Sequence, residues 1–170
     1  PGPGGAAPVT GLPEGGTDET PVVVPPEDAR LLADAIGAGF AGHVWKNGSD
    51  LYLLAESDAV IEALTVLRDR GRYDYFVECM GVDYSAWDLP RDLPGRFEVV
   101  YNLFSTARNA RIFLKTSVDL DVPLPTAKGV YTGAEYPEKE IGDMFGIRIV
   151  GNELDPNERF LLPDDWVGYP

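Results

Sequence analysis

Tyr136-Pro137-Glu138-Lys139-Glu140-Ile141-Gly142-Asp143-Met144-Phe145-Gly146-Ile147, followed after a polar loop by Arg159-Phe160-Leu161-Leu162-Pro163-Asp164-Asp165-Trp166, is the most informative stretch of this chain. Pro137 fits the first turn of a helix, where a missing amide hydrogen costs nothing, and Glu138 and Glu140 suit the positive end of the helix dipole. Ile141, Met144 and Phe145 recur at spacings of three and four and share one face, and Gly146 can take the left-handed conformation that ends a helix. Ile147 to Val150 then reads as a short strand. Glu140 and Asp143, three residues apart, make an acidic edge beside the apolar face and invite an Arg or Lys from another segment or chain.

Upstream, Ala110 to Val118 and Phe97 to Phe104 flank Ser105-Thr106-Ala107-Arg108-Asn109, a spacing that suits an antiparallel hairpin. Phe97 to Phe104 and Tyr73 to Val82 are rich in aromatic and β-branched residues, apolar on both faces in places, and are expected to be buried central strands. Asp83 to Arg96 is a polar excursion between them. Ser57 is expected to cap a helix with Val60, Ile61, Leu64 and Leu67 as its buried stripe and Gly71 beyond its end. Asp50 to Ala55 alternates like a strand. Glu27 and Asp28 start an earlier helix with Leu31, Leu32, Ala35 and Ile36 on one face and Gly37 or Gly39 near its end. The order of elements predicts an α+β domain over 27–150, with helices on one face of a mixed or antiparallel β-sheet, followed by an extended segment over 151–170. Residues 1–26 hold seven prolines and six glycines and read as a flexible tail, or one docked on a partner through Val22-Val23-Val24.

The chain has 170 residues, 44% of them hydrophobic, enough for one domain with its own core. Against 28 acidic residues stand 14 basic ones, a net charge of -14 that argues against binding a phosphate backbone or an anionic membrane surface. No apolar run approaches the roughly 20 residues of a bilayer span, and the amino terminus shows no basic start with an apolar run, so the cytoplasm is the expected compartment. Cys79 is the only cysteine, which leaves no internal disulfide and no thiolate set for an iron-sulfur or structural zinc site. It sits in a strand pattern and is assigned to the core. His43 is the only histidine and reads as a surface or edge residue. Trp45, Trp87 and Trp166 are either interface anchors or packed residues. The glycine-rich tail lacks the strand-to-helix setting and the Lys-Ser or Lys-Thr of a phosphate-binding loop.

The opening stretch resembles a signature of the C-subunit family of respiratory complex I, the NADH:quinone oxidoreductase: an aromatic, Glu-Arg-Glu, two variable residues, Asp, an apolar residue, Phe-Gly-Ile, and later Arg-x-Leu-Leu-Pro-Asp-Asp-Trp. Phe97 to Leu103 is similar to the family's strand before the hairpin, and Asn109-Ala110-Arg111-Ile112 to its return strand. The resemblance implies a cofactor-free structural subunit of the hydrophilic arm. It would stabilise the quinone-reducing module by packing against the D subunit, with iron-sulfur clusters and flavin on partner subunits and no catalytic residue here. It also implies a hetero-oligomer placed peripherally on the cytoplasmic side of the cell membrane. Glu138, Lys139, Glu140, Asp143, Phe145, Gly146, Arg159, Asp164, Asp165 and Trp166 are the implied partner contacts.

Three departures stand out. Lys139 replaces the Arg between the two glutamates, so a bidentate pairing would become a point contact. Gly151-Asn152-Glu153 stands where the family has Gly-His-Pro, and Leu154-Asp155-Pro156-Asn157-Glu158 lengthens the loop. The chain stops at Tyr169-Pro170, where the family usually continues with a basic segment. Alternatives of the same kind are the equivalent subunits of membrane-bound hydrogenases and other relatives of complex I. Of other classes are a small carboxylate-dependent hydrolase using Glu138 or Glu140 with Asp143, which requires an open pocket and a raised carboxyl pKa, and an acidic adaptor for basic partners.

Overall fold

A computed structural model describes residues 26–46, 50–155 and 158–170. The expectations for the tail over 1–25, Val22-Val23-Val24 included, lie outside the described residues. The elements run α1 (Glu27–Ile36), β1 (Phe40–Lys46), β2 (Asp50–Ala55), α2 (Val60–Asp69), β3 (Tyr75–Asp83), β4 (Phe97–Ser105), β5 (Ala110–Val118), β6 (Leu124–Pro125), α3 (Glu135–Phe145) and β7 (Ile149–Val150). Five strands form one sheet in the order β1-β2-β5-β4-β3, parallel only between β2 and β5, and β6 and β7 form a small parallel pair. The domain is α+β with a mixed sheet.

Alternation on the strands divides the sheet into two unlike faces. Leu51, Leu53, Phe97, Val99, Tyr101, Leu103, Ile112 and Leu114 turn to one side and join Ala29, Leu32, Leu64, Leu67 and Ile141 of the three helices in one apolar core. The helices therefore cover this face, and Cys79 lies in the same core. On the opposite face Glu98 and Lys115 are buried and paired at 2.5 Å, with Asp92 3.4 Å from the same ammonium and 2.5 Å from Lys46. Tyr84 Oη donates to Glu98, and the Arg91 guanidinium lies over the Tyr84 ring. The excursion between β3 and β4 is thus strapped over the outer face by charge, with its own Leu93 buried.

Several elements differ from the sequence expectation. Strand β3 is an edge strand with most side chains exposed, because β5 sits between β2 and β4 and leaves β3 a single neighbour. Helix α2 begins at Val60 after Ala59, without a Ser57 side-chain cap. In α1 the deepest face is Asp28, Ala29 and Leu32, while Leu31, Ala35 and Ile36 are only half-buried. Strand β1, which bears His43 half-buried on the other sheet edge, was not evident in the sequence. The short strand expected over 147–150 is confined to Ile149–Val150. The β4–β5 hairpin is as expected, with Asn109 of its turn at φ 47.

Asp28 explains why the first turn of α1 points inward. Its carboxylate accepts from Arg108 at 2.7 and 3.1 Å and from Tyr73 Oη at 2.8 Å, so α1, the turn after α2 and the β4–β5 hairpin meet at one charge. Removing that acceptor leaves a buried phenol without its partner, a loss of about 1–3 kcal/mol. Asp28→Ala is expected to lower the urea midpoint accordingly with an unchanged slope, and Tyr73→Phe, which removes donor and need together, to have the smaller effect.

Candidate functional site

Helix α3 starts from a tight turn at Thr132–Ala134, with Glu135 and Glu138 in its acidic first turn. Pro137 lies among the first four residues, whose amides have no partner within the helix. Gly146 closes it at φ 74, its amide donating to the Gly142 carbonyl. Leaving that glycine free has a second use. A Cβ there would stand 2.5 Å from the Tyr169 ring, so the end of the chain rests against the last turn of α3.

Glu138 is 1% exposed. One carboxylate oxygen accepts from the Ala127 amide at 2.6 Å, and the other accepts from Thr126 Oγ1 at 2.5 Å and Asn152 Nδ2 at 3.0 Å. Asn152 Nδ2 also donates to the Glu135 carbonyl at 2.8 Å. Backbone bonds from Leu124 to Arg148 and from Thr126 to Val150 complete the join. Glu138 therefore ties the turn after β6 and the turn after β7 to α3, and Asn152 supplies a donor at the position where the resemblance leads one to expect histidine.

Asp143 is wholly buried one turn and a half later. Its Oδ2 accepts from the amides of Leu161 and Leu162 at 2.8 and 2.9 Å, and Arg159 Nη1 lies 3.4 Å from Oδ1. The same guanidinium donates to the Gly168 carbonyl at 2.5 Å and sits over the Tyr169 ring. The cation invited by the acidic edge thus comes from this chain. Burial opposes ionisation of Asp143, but the amides of Leu162, Leu161 and Phe160, and then Arg159, outweigh it and hold the carboxyl below its ordinary value.

These contacts correct the expectation of direct partner contact for Glu138 and Asp143: both are buried and spent inside the chain, because donors from earlier and later segments converge on them. Phe145 is half-buried, edge-to-face with Phe97 and against Gly81. Lys139 pairs with Glu135 at 3.5 Å. Glu140, Asp164, Asp165 and Trp166 remain exposed. Trp45 and Trp87 are 53% exposed and Trp166 47%, so none of the three is a packed core residue. The structure also exposes Tyr136, stacked on Phe160 at 5.8 Å, together with Leu161, Val167 and Tyr169. Tyr136, Val167 and Tyr169 were not among the contacts expected from the sequence, although aromatic and branched residues crowded into a polar segment were a legible signal.

Between α3 and the returning ribbon lies an open cleft of about 780 Å³, lined among others by Lys139, Arg148, Glu153, Glu158 and Trp166. The hydrolase expectation asked for a carboxyl raised by burial and open to a substrate. Both Glu138 oxygens and Asp143 Oδ2 are instead taken up by amides and side-chain donors, Asp143 Oδ1 faces the Arg159 guanidinium, and Asp143 is lowered, which suits neither general acid nor free base. Among the described residues no group of three or more His, Cys, Asp and Glu side chains is arranged to hold a metal ion, and no helix is long and apolar enough to cross a membrane.

The ribbon's attachment has a definite pH dependence. A carboxyl with a lowered folded pKa stabilises above its unfolded value, about 3.9 for Asp, and that stabilisation is lost as pH falls through the folded value. Proteolytic nicking within 158–166 is expected to stay slow from neutral pH down to about pH 5 and to accelerate only in stronger acid. In Asp143→Asn it is expected to be fast already at neutral pH, read by limited proteolysis with mass spectrometry.

Known proteins of similar sequence and shape agree with one another. A profile of the family described as respiratory-chain NADH dehydrogenase, 30 Kd subunit, matches residues 53–170. A C subunit of the NADH-quinone oxidoreductase of Rhizobium etli (strain CIAT 652) is 36% identical over 147 residues, covering 85% of this chain and 68% of that protein. The C subunit of the NADH-quinone oxidoreductase of Roseiflexus sp. (strain RS-1) is 39% identical over 124 residues, covering 71% and 67%. Among solved structures, the trypsin-resistant fragment (1-134) of Nqo5 superposes with a TM-score of 0.64 at 26% identity, over 74% of this chain and 97% of that one.

Proposed function

This chain belongs to the 30 Kd subunit family of respiratory-chain NADH dehydrogenase, and we propose that it acts as a non-catalytic structural subunit of a complex I-type NADH-quinone oxidoreductase, packed against the D subunit. In this reading it carries no cofactor. Iron-sulfur clusters and flavin reside on neighbouring subunits, and the chain sits peripherally on the cytoplasmic side of the membrane through them. What it supplies is a shaped surface that steadies the quinone-reducing module.

The observation that carries the proposal is the carboxyl-terminal ribbon, fixed from within by Asp143 and Arg159 while it presents Leu161, Trp166, Val167 and Tyr169 to solvent. Exposed aromatic and aliphatic side chains on a pinned backbone are the composition of an interface core. Around them Lys139, Asp164 and Asp165 form a charged rim suited to setting orientation rather than affinity. Glu138, Asp143, Phe145, Gly146 and Arg159 serve the interface indirectly, by holding the ribbon in shape. A general acidic adaptor would need no such ordered apolar surface.

Purified alone, the chain is expected to show no visible absorbance and no NADH oxidation, and to bind the D subunit. Trp166→Ala should weaken that binding about 30-fold, a hot-spot loss of about 2 kcal/mol, with unchanged thermal unfolding, as read by titration calorimetry. A bound chromophore on the isolated chain, or undiminished binding by Trp166→Ala and Leu161→Ala together, would overturn the reading.

A further inference from the structure

Strand β3 ends the sheet, and its open side carries no backbone-to-backbone hydrogen bond among the described residues. It is nine residues long, about 30 Å. Protein edges are ordinarily blunted by short strands, lysine, proline or bulges. The opposite edge follows that rule, since β1 has a register break at Gly42 and a terminal Lys46. In β3 the single irregularity lies between Phe76 and Glu78, and from Glu78 to Asp83 the strand runs regularly with no lysine, arginine or proline.

The surroundings of that regular stretch are acidic and apolar. Glu78 and Met80 are exposed, Tyr75 and Val77 are exposed just before them, and Glu140 is exposed on the helix that packs over Gly81 through Ile141 and Phe145. Glu78 stands in the strand itself and Glu140 adjoins Ile141, which packs on Gly81, and the Cys79 thiol between them is pushed up by burial first and then by the negative charges of Glu138, Glu140 and Glu78. A second copy of this chain is a poor occupant, because it would bring a second Glu78 and Glu140 to the seam while the Glu78–Asp83 stretch has no cation to offer them.

We propose that the Glu78–Asp83 edge is a strand-addition site that takes an extended segment of another protein, with basic and apolar side chains on each of its two faces. Main-chain hydrogen bonds would provide the affinity, Met80 and Val77 the apolar contacts, and Glu78 and Glu140 the preference for lysine or arginine on either side of the added strand. This surface is distinct from the carboxyl-terminal ribbon, and its occupant is recognised by backbone geometry and charge.

The test uses the full chain with the synthetic hexapeptide Lys-Lys-Val-Val-Lys-Lys, which presents lysine and valine on both faces of a strand, read by amide hydrogen exchange. Exchange over Glu78–Asp83 is expected to slow about tenfold or more at saturation. Methylating one alternate set of peptide amides should abolish the effect, and methylating the other set should leave it. The charge-reversed hexapeptide Glu-Glu-Val-Val-Glu-Glu should bind only the Glu78→Lys/Glu140→Lys variant. No slowing, slowing centred elsewhere, or equal slowing by both methylated peptides overturns the proposal, whereas the ribbon's binding to the D subunit is measured separately and stands or falls without it.

Discussion

A buried aspartate governs how the carboxyl-terminal third of this protein is arranged. Placing a carboxylate where Asp143 lies costs several kcal/mol unless donors surround it, and the helix itself has none to give at that depth. The amides of Leu161 and Leu162 and the guanidinium of Arg159 meet the requirement, so the chain beyond β7 must return to α3. Glu138 imposes the same condition nearer the start of the helix, answered by Ala127, Thr126 and Asn152. Two carboxylates separated by less than two turns thus position segments from before and after the helix, with hydrogen bonds to charge that are among the stronger ones available.

A second charged system works on the other side of the sheet. Lys115 and Glu98 project from neighbouring central strands into the outer face, and the excursion between β3 and β4 closes over them through Asp92 and Tyr84. The core proper needs no such device, since the helices and the inner sheet face bury aliphatic and aromatic side chains against one another. Charge is therefore used where irregular chain must be held and apolar contact where regular elements stack.

Periodicity made the helices, the β4–β5 hairpin and the core legible in the sequence, because 3.6- and 2-residue patterns depend on local burial alone. Strand rank did not follow from the same signal. Tyr75, Val77 and Met80 have the composition of a central strand, yet whether a strand gains one neighbour or two is decided by the parallel insertion of β5, a long-range event. The weakness of β1 as a pattern has a local cause, since Gly42 and His43 interrupt its alternation. At the site, the glycine stop and apolar face of α3 were readable. The fate of Glu138 and Asp143 was not, because an acidic residue in sequence looks the same whether water or a distant backbone amide satisfies it.

Internal satisfaction of those carboxylates bears directly on assembly. Ordering a free terminal segment on binding costs roughly 1–2 kcal/mol for each residue fixed, and a ribbon the length of 158–169 would absorb most of what an ordinary interface gains. Here Asp143, Arg159 and the Tyr169 ring against Gly146 have already fixed it in the free chain. The exposed aromatics can then contribute to binding with little further loss of freedom. On this argument the residues that matter most for association include buried ones that never touch the partner, and a substitution at Asp143 would act through the shape of the ribbon, raising the entropic cost of docking while leaving every contacting side chain in place.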